Sequence, residues 1–217
     1  NYEFEKDNKN NINILDFLIQ KCRNVGTLNF SILARHGFIA KSFLNSLIEK
    51  KVFKKKEVDL FEQNLNTITT QMLNDSLKVR SKNISKKQFM RKYGHLRPGT
   101  YDIVSKNYAQ MKNFKFSVRR KKNKSFYLSD EQKFKINQLL KKNNFSINSD
   151  KFLNYLKSSL ILREYSKFVF TKYLSLILEI IAKFAKKKFL SRSEVSNVDI
   201  NKFLNKKFQK IRRSDLL

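Results

Sequence analysis

Turn-forming residues are scarce in this chain. Its 217 residues include one proline and four glycines, and there is no tryptophan. Sheet sandwiches and barrels need many turns, so this scarcity argues against them and favours long helices. The single cysteine, Cys22, excludes an internal disulfide and fits a reducing, cytoplasmic location. The sequence therefore predicts a mainly α protein, an irregular helical domain with one long helix.

Long apolar runs are also missing. The most apolar stretch, residues 168–182, is interrupted by Lys172 and Glu179 and is too short to cross a bilayer. The first residues are polar and lack the apolar run of a signal peptide. We therefore expect no membrane partner. Because the sequence begins without Met, we also expect it to be a piece of a longer protein.

Acidic residues are few, and the net charge is +29. Such a charge is typical of proteins that bind nucleic acid. Here only 11 of the 47 basic residues are arginine, and lysine is spread through nearly every segment, which is typical of solvated helix faces. Nucleic acid is therefore not the expected partner. Three basic clusters keep contact with a polyanion open: residues 54–56, 119–124 and 186–188.

Apolar residues recur at helical spacing through most of the chain. Together with capping patterns, this spacing predicts helices over residues 12–26, 31–50, 57–78, 86–92, 130–142, 151–188 and 199–209, with a break within 64–70. Alternating apolar residues indicate a short strand or hairpin near 113–128. We predict three consecutive parts: a helical region over 1–110, a variable linker region over 111–150, and a helical region over 151–217 that packs back on the first.

One segment, residues 93–102, contains both residues with unusual backbone preferences and side chains that can bind or react with a substrate. It holds the only proline, two glycines and one of the two histidines. Pro98 fixes its own φ and Gly99 can take φ > 0, so we expect a stiff turn. Five polar side chains would project from it: His95, Arg97, Thr100, Tyr101 and Asp102. These groups suit an anionic or amide substrate. The alternative is a tight interhelical turn whose polar side chains form hydrogen bonds with the backbone of the turn itself.

Two further segments place charged groups among apolar residues. Gly37, which follows Arg35 and His36, costs a helix about 1 kcal/mol relative to Ala and so indicates a close approach by another group. Arg163 and Glu164 lie in the apolar long helix and would need partners, which indicates a site. The alternatives are a packed helix crossing at Gly37 and a surface ion pair between Arg163 and Glu164.

Motifs for nucleotide or metal binding are missing. There is no Walker A loop, dinucleotide fingerprint, zinc spacing or hydrolase elbow. We therefore expect no metal and no cofactor to be bound by this fragment itself.

Four segments together resemble one family: residues 30–40 (FSILARHGFIA), 61–70, 93–103 (YGHLRPGTYDI) and 163–172. They are similar to the phosphoenolpyruvate-synthase-like (PEP-utilising) kinases, in particular the bacterial L-glutamine kinases of capsule phosphoramidate biosynthesis. The GHLRPGTYDI run is the most specific part. After it, residues 105–109 replace the Ser-Pro-Arg-Tyr-Asp of the family pattern.

The resemblance implies the central domain of a kinase, between an ATP-grasp domain and a domain with a phosphorylated histidine. ATP and Mg²⁺ would bind to those neighbours of the same polypeptide, and the fragment alone is expected to be inactive. This chain would hold a small acceptor, L-glutamine.

The resemblance and the chemistry of phosphoryl transfer suggest roles for individual residues. His95 or His36 would be the catalytic base. The substrate-binding residues would be Arg35, Arg97, Thr100, Tyr101, Asp102, Arg163 and Glu164. We expect Arg35, His36, His95 and Arg97 to surround one cleft. A lysine-rich nucleic-acid-binding domain and a purely structural linker domain are the alternatives.

Overall fold

A computed structural model describes residues 8–112, 114–115 and 125–201 of the chain. This described part contains α-helices and no strand, which confirms the mainly α class. The helices are α1 (Asn8–Lys21), α2 (Leu28–Glu49), α3 (Lys55–Gln63), α4 (Ile68–Arg80), α5 (Lys86–Tyr93), α6 (Asp130–Lys142), α7 (Ser149–Lys187) and α8 (Arg192–Ser196). The 39 residues of α7 confirm the predicted long helix.

Helix starts follow the capping patterns of the sequence. Ser85, Ser129 and Ser191 each accept a hydrogen bond from the amide three residues later and begin α5, α6 and α8. The predicted break within 64–70 is confirmed, because α3 and α4 are separate helices and the Thr67 side chain caps α4. The predicted end of the first helix at Gly26 is wrong. A π-helix, Cys22–Thr27, instead leads directly from α1 into α2.

Two predicted elements fall largely outside the described residues. The strand or hairpin was predicted near 113–128, and within this range residues 113 and 116–124 lie outside the described residues. The described neighbours, 114–115 and 125–128, have no regular structure. Residues 202–209 of the predicted last helix also lie outside the described residues.

The chain divides into two compact units, and each combines non-contiguous segments. The first unit contains residues 1–28, 82–115 and 168–217, and the second contains residues 29–81 and 116–167. Helix α6, which lies in the predicted linker region, belongs to the second unit.

The second unit is built around an apolar core from α2, α3, α6, α7 and the two connections that flank α3. Its largest buried side chains are aromatic or branched, because helices that cross at close distance must fill the space between them. The core residues are Ala40, Leu44, Leu47, Val52, Phe53, Val58, Phe61, Leu65, Ile136, Leu140, Phe152, Leu156 and Leu160. Leu44 and Leu156 are completely buried.

The first unit holds an aromatic cluster beside the segment of special residues. Phe89 and Tyr93, on successive turns of α5, are almost fully buried. The Phe89 ring lies 5.7 Å from that of Phe114, and the Tyr93 ring lies 5.8 Å from that of Phe168 on α7. These contacts fix the end of α5 against α7, and so fix where the following loop begins.

Candidate functional site

The loop of residues 94–107 lies in the first unit and is closed at its base by main-chain hydrogen bonds. Helix α5 ends at Tyr93, where the loop starts. The Tyr108 amide donates to the Leu96 carbonyl at 2.8 Å, and the Ala109 amide donates to the Gly94 carbonyl at 3.1 Å. Both ends of the loop are therefore held by the backbone, and the loop is non-helical as predicted.

Gly99 lacks the positive φ that the sequence predicted. None of the four glycines, all of which lie in the described part, has φ > 0. A Cβ at position 99 would lie 2.9 Å from the Asp102 Cβ and 3.2 Å from the Ser105 Cβ. The Gly99 amide also donates to the Ser105 hydroxyl at 3.1 Å. The predicted conformation is wrong, and the reason for glycine is space, because the loop folds back on itself here.

Arg97 is buried, with 2% of its side chain exposed. Its Nη1 donates to the carbonyl oxygens of Asp102 and Ser105 at 3.3 and 3.1 Å. Its Nη2 donates to the Ser175 hydroxyl at 2.8 Å and to Glu179 Oε1 at 3.1 Å, both on α7. This guanidinium joins the loop to α7 of the same unit. The geometry favours the alternative in which the loop is a structural turn over the predicted substrate contact of Arg97.

Glu179 is the carboxylate that completes this network. Its Oε2 accepts a hydrogen bond from Arg192 Nη2 at 2.6 Å and another from the side-chain Nε2 of Gln110. Arg192 also donates to the Ile103 carbonyl of the loop at 2.7 Å. Burial by itself raises the pKa of Glu179, but the hydrogen bonds from Arg192 and Gln110 outweigh it and leave the pKa below its usual range. The carboxylate is therefore ionised and shared by two arginines.

Sequence reasoning missed Glu179, Arg192 and Ser175 as partners of the loop. One signal for Glu179 was present. It interrupts the apolar stretch 168–182, and a carboxylate among apolar residues of a helix needs a cation beside it. Nothing local to Arg192 indicated that it would be the second cation.

His95 is half-buried against α7. Its Nε2 donates to the Phe168 carbonyl at 3.2 Å, and its ring lies 4.8 Å from the Phe168 ring. Burial lowers the pKa of His95 to about 4, and the charge of Lys172 acts in the same direction while the hydrogen bond to Phe168 opposes it. The imidazole is therefore neutral near pH 7, and its conjugate acid is much stronger than that of an ordinary histidine.

The remaining predicted residues of the loop differ in exposure. Tyr101 is 64% exposed, with its ring 6.2 Å from that of Phe170. Thr100 is half-buried. Asp102 is exposed, and its Oδ1 accepts a hydrogen bond from the Val104 amide at 2.8 Å, so one carboxylate oxygen stabilises the turn.

In the second unit, Gly37 of α2 packs against Arg163 of α7. A Cβ at position 37 would lie 2.5 Å from the Arg163 Cδ and 3.2 Å from its Cβ. The predicted close approach at Gly37 is therefore confirmed, and the approaching group is the aliphatic stem of Arg163. The Arg163 guanidinium lies 5.5 Å from the centre of the Phe38 ring, within the range of a cation–π contact.

Further polar groups surround this helix contact. The His36 Nδ1 lies 3.0 Å from the Tyr155 hydroxyl, and His36 is exposed. Arg163 Nη1 lies 3.3 Å from Glu164 Oε1, with about a third of each side chain exposed. We call these five residues, His36, Phe38, Tyr155, Arg163 and Glu164, the His36 cluster. Arg35, the residue before His36, is exposed on α2.

The predicted site residues thus fall into two groups, one in each unit. His95, Arg97, Thr100, Tyr101 and Asp102 lie in the first unit, and Arg35, His36, Arg163 and Glu164 lie in the second. The expectation that both histidines and both arginines surround one cleft stays a prediction.

Comparisons of this chain with models of known protein families, with curated proteins and with solved structures found no match. Within the described ranges, no group of His, Cys, Asp and Glu side chains is arranged to hold a metal ion. No helix in that part of the chain has both the length and the apolar character needed to cross a membrane.

Proposed function

We propose that this chain is the acceptor-binding domain of a multidomain ATP-dependent phosphotransferase. A phosphorylated histidine on a neighbouring domain of the same polypeptide carries the phosphoryl group, and the side-chain amide of L-glutamine accepts it. One observation supports the proposal most. Segments 30–40 and 163–172, two of those that resemble the PEP-utilising kinases, meet in the His36 cluster at the contact between Gly37 and Arg163.

His36 is the better candidate for the catalytic base. It is exposed, and Tyr155 fixes the orientation of its ring through Nδ1. With Nδ1–H donating to the phenol oxygen, Nε2 carries the lone pair that takes a proton. His95 is less suited, because its pKa of about 4 makes it a weak base and its Nε2 already donates to a carbonyl.

The transfer forms one N–P bond and breaks another. The amide nitrogen of glutamine attacks phosphorus, and His36 Nε2 takes the proton that this nitrogen loses. The bond between phosphorus and the donor histidine breaks, and its electron pair stays on that histidine. An amide nitrogen is a poor nucleophile, so the reaction needs catalysis. The rate enhancement comes from positioning the two reactants and from cations that offset the charge on the phosphoryl oxygens.

Charged side chains of the second unit bind the phosphoryl group and the charged groups of glutamine. About a third of the Arg163 side chain is exposed and Arg35 is exposed, so their guanidiniums are open to phosphoryl or carboxylate oxygens. Glu164 binds the α-ammonium group of glutamine, because it belongs to the His36 cluster, whereas Asp102, the residue predicted for this role, lies in the loop of the first unit. The network of Arg97, Glu179 and Arg192 maintains the shape of the loop in the first unit.

The test follows the two half-reactions separately in the full-length protein. Phosphohistidine formation from ATP and phosphoryl transfer to L-glutamine are measured by phosphorus NMR. His36→Asn should leave phosphohistidine formation unchanged and slow the transfer by at least about 100-fold, the usual contribution of a general base.

His95→Asn is the matched control, and we expect it to slow the transfer less than about tenfold once stability is taken into account. Transfer at the wild-type rate in His36→Asn would overturn the proposed role of the His36 cluster. A full-length protein that forms no phosphohistidine from ATP would overturn the proposed reaction itself.

A further inference from the structure

The long helix α7 ends in a turn that places an aromatic residue in the left-handed region. The Leu190 amide donates to the Ala185 carbonyl at 2.9 Å, and the Phe189 amide donates to the Lys186 carbonyl at 3.1 Å. This pair of bonds is the Schellman motif, in which the residue after the helix cap has φ > 0 and is most often glycine. Here that residue is Phe189, with φ of 58°.

In the described part of the chain, two other helices end in the same motif with polar residues at this position. Lys51 follows α2 with φ of 55°, and Asn144 follows α6 with φ of 58°. Among the described residues with positive φ, Phe189 is the only apolar one. A bulky aromatic residue is disfavoured at positive φ, where glycine has no steric cost. The local structure therefore gives no reason for phenylalanine at this position.

Packing gives no reason either, because the Phe189 side chain is 88% exposed. The next residue, Leu190, is 5% exposed, which fits the buried apolar residue that often occupies this position of the motif. The turn is also anchored on its far side, where Arg192 at the start of α8 pairs with Glu179. Phe189 thus projects into solvent from a turn that its neighbours hold in place.

Exposed lysines precede Phe189 in the sequence. Four of the six residues before Phe189 are exposed lysines: Lys183, Lys186, Lys187 and Lys188. The last three of them form one of the basic clusters, residues 186–188, for which the sequence left a polyanion partner open. A partner of this turn must therefore offer negative charge and an apolar layer together. The surface of an anionic lipid bilayer offers both, with charged headgroups above acyl chains.

We propose that this turn binds the surface of anionic membranes, with Phe189 inserted at the boundary between headgroups and acyl chains. An inserted aromatic side chain and lysines near an anionic surface each favour binding, and together they support reversible peripheral attachment. We expected no membrane partner because no segment can span a bilayer, but surface binding requires no spanning segment. Single-stranded nucleic acid fits less well, because such strands lie in grooves with stacking platforms, and no groove encloses a ring that is 88% exposed.

The absence of tryptophan from the sequence gives a direct assay. Phe189→Trp introduces the only tryptophan of this sequence at the tip of the turn, and its emission can be excited apart from that of the eight tyrosines. We expect a blue shift of its emission with vesicles of phosphatidylcholine and phosphatidylglycerol, and none with vesicles of phosphatidylcholine alone. An unchanged spectrum with both lipids overturns the proposal. A spectrum that responds to a single-stranded oligonucleotide and not to vesicles also overturns it, in favour of base stacking.

Co-sedimentation of variants with the anionic vesicles distinguishes insertion of the Phe189 ring from a general electrostatic attraction between the vesicles and a basic protein. Phe189→Ala should weaken vesicle binding roughly tenfold, the lower limit for the loss of a buried phenylalanine. Lys183→Gln with Lys186→Gln should weaken it roughly 25-fold, about fivefold for each lysine. The matched control, Lys141→Gln with Lys142→Gln, changes the last turn of α6 and should weaken it much less. Equal effects of the two lysine pairs would overturn the proposed location.

Phe189→Gly distinguishes a binding residue from a structural one. Glycine suits the left-handed position, so this variant should raise the melting temperature while it lowers vesicle binding as much as Phe189→Ala does. Lys51→Gly makes the same conformational change at the end of α2 and should leave vesicle binding unchanged. If Phe189→Gly melts at a lower temperature than the wild type, the ring stabilises the fold and the proposal fails.

Discussion

Arg97→Ala tests whether the loop of residues 94–107 is held by a buried guanidinium. The variant removes the donors to the carbonyls of Asp102 and Ser105 and to the hydroxyl of Ser175. It also removes one of the two cations of Glu179. Glu179 keeps its ion pair with Arg192, with Nη2 and Oε2 2.6 Å apart, so its charge is not left without a partner.

The expected loss of stability follows from these contacts. Removing one partner of a buried pair costs about 3–5 kcal/mol, and hydrogen bonds from a charged donor contribute about 1.5–3 kcal/mol each. Because Arg192 still neutralises Glu179, we expect the loss to lie near 3 kcal/mol. For a chain of this length, about 2–4 °C per kcal/mol predicts a fall in melting temperature of roughly 6–12 °C.

Thermal unfolding followed by circular dichroism measures this fall. Arg97→Lys keeps the charge but loses the planar fork, so it should lie between the wild type and Arg97→Ala. Arg91→Ala, which removes an exposed arginine of α5, is the surface control and should stay within about 1 kcal/mol of the wild type. If Arg97→Ala melts within the error of Arg91→Ala, the guanidinium does not hold the loop, and its predicted role in binding substrate regains support.

Two further predictions concern the two units separately. Gly37→Ala should destabilise the second unit by about 1–3 kcal/mol, because the added Cβ would overlap the stem of Arg163. A second change, Arg163→Ala, should restore part of that stability. If urea unfolding shows that the effects of the two changes simply add, the close contact is contradicted. His95 has a folded pKa of about 4 and an ordinary pKa near 6.5 when unfolded, so the unfolded state binds the extra proton between these values. Its contribution to stability is therefore complete well above pH 6.5 and falls as the pH drops toward 4. The fall should be smaller than the roughly 3 kcal/mol expected for a fully buried group, because His95 is only half-buried and solvent screens its charge. Urea unfolding should show a smaller fall in His95→Gln, whereas parallel pH profiles would refute the burial of a neutral imidazole.

Local patterns predicted most of the helices. Ser85 and Ser129 cap α5 and α6 through residues only three positions away, and the apolar residues of α7 recur at helical spacing, so both signals can be read from the sequence. The short helix α8 after Ser191 was not predicted, although its capping residues are present. The close approach at Gly37 could also be predicted, because glycine within a helix is costly without a reason.

The partners of the loop could not be predicted in the same way. Arg97 meets Glu179 and Ser175 across about 80 positions of sequence, and no local pattern reports which residue of α7 a loop will face. The positive φ expected at Gly99 failed for a related reason. A glycine can be required by conformation or by space, and only the fold decides between them.

The pairing of His36 with Tyr155 was also beyond the sequence. Tyr155 lies on α7, 119 positions away, and carried no signal of its own. Of the two histidines, the structure assigns the buried environment to His95 and the exposed one to His36. That difference, which determines which imidazole suits a base, arises from tertiary packing alone.

Binding of L-glutamine to this chain tests the central claim most directly. In a titration followed by NMR, L-glutamine should shift the signals of His36, Tyr155 and Arg163 along one saturable curve and leave the His95 ring nearly unchanged. L-Norleucine, which lacks the side-chain amide, should bind about tenfold more weakly, since the amide hydrogen bonds are lost. Saturable shifts confined to the loop of residues 94–107, or no saturable shift at His36, would contradict the assignment of the acceptor site to the His36 cluster.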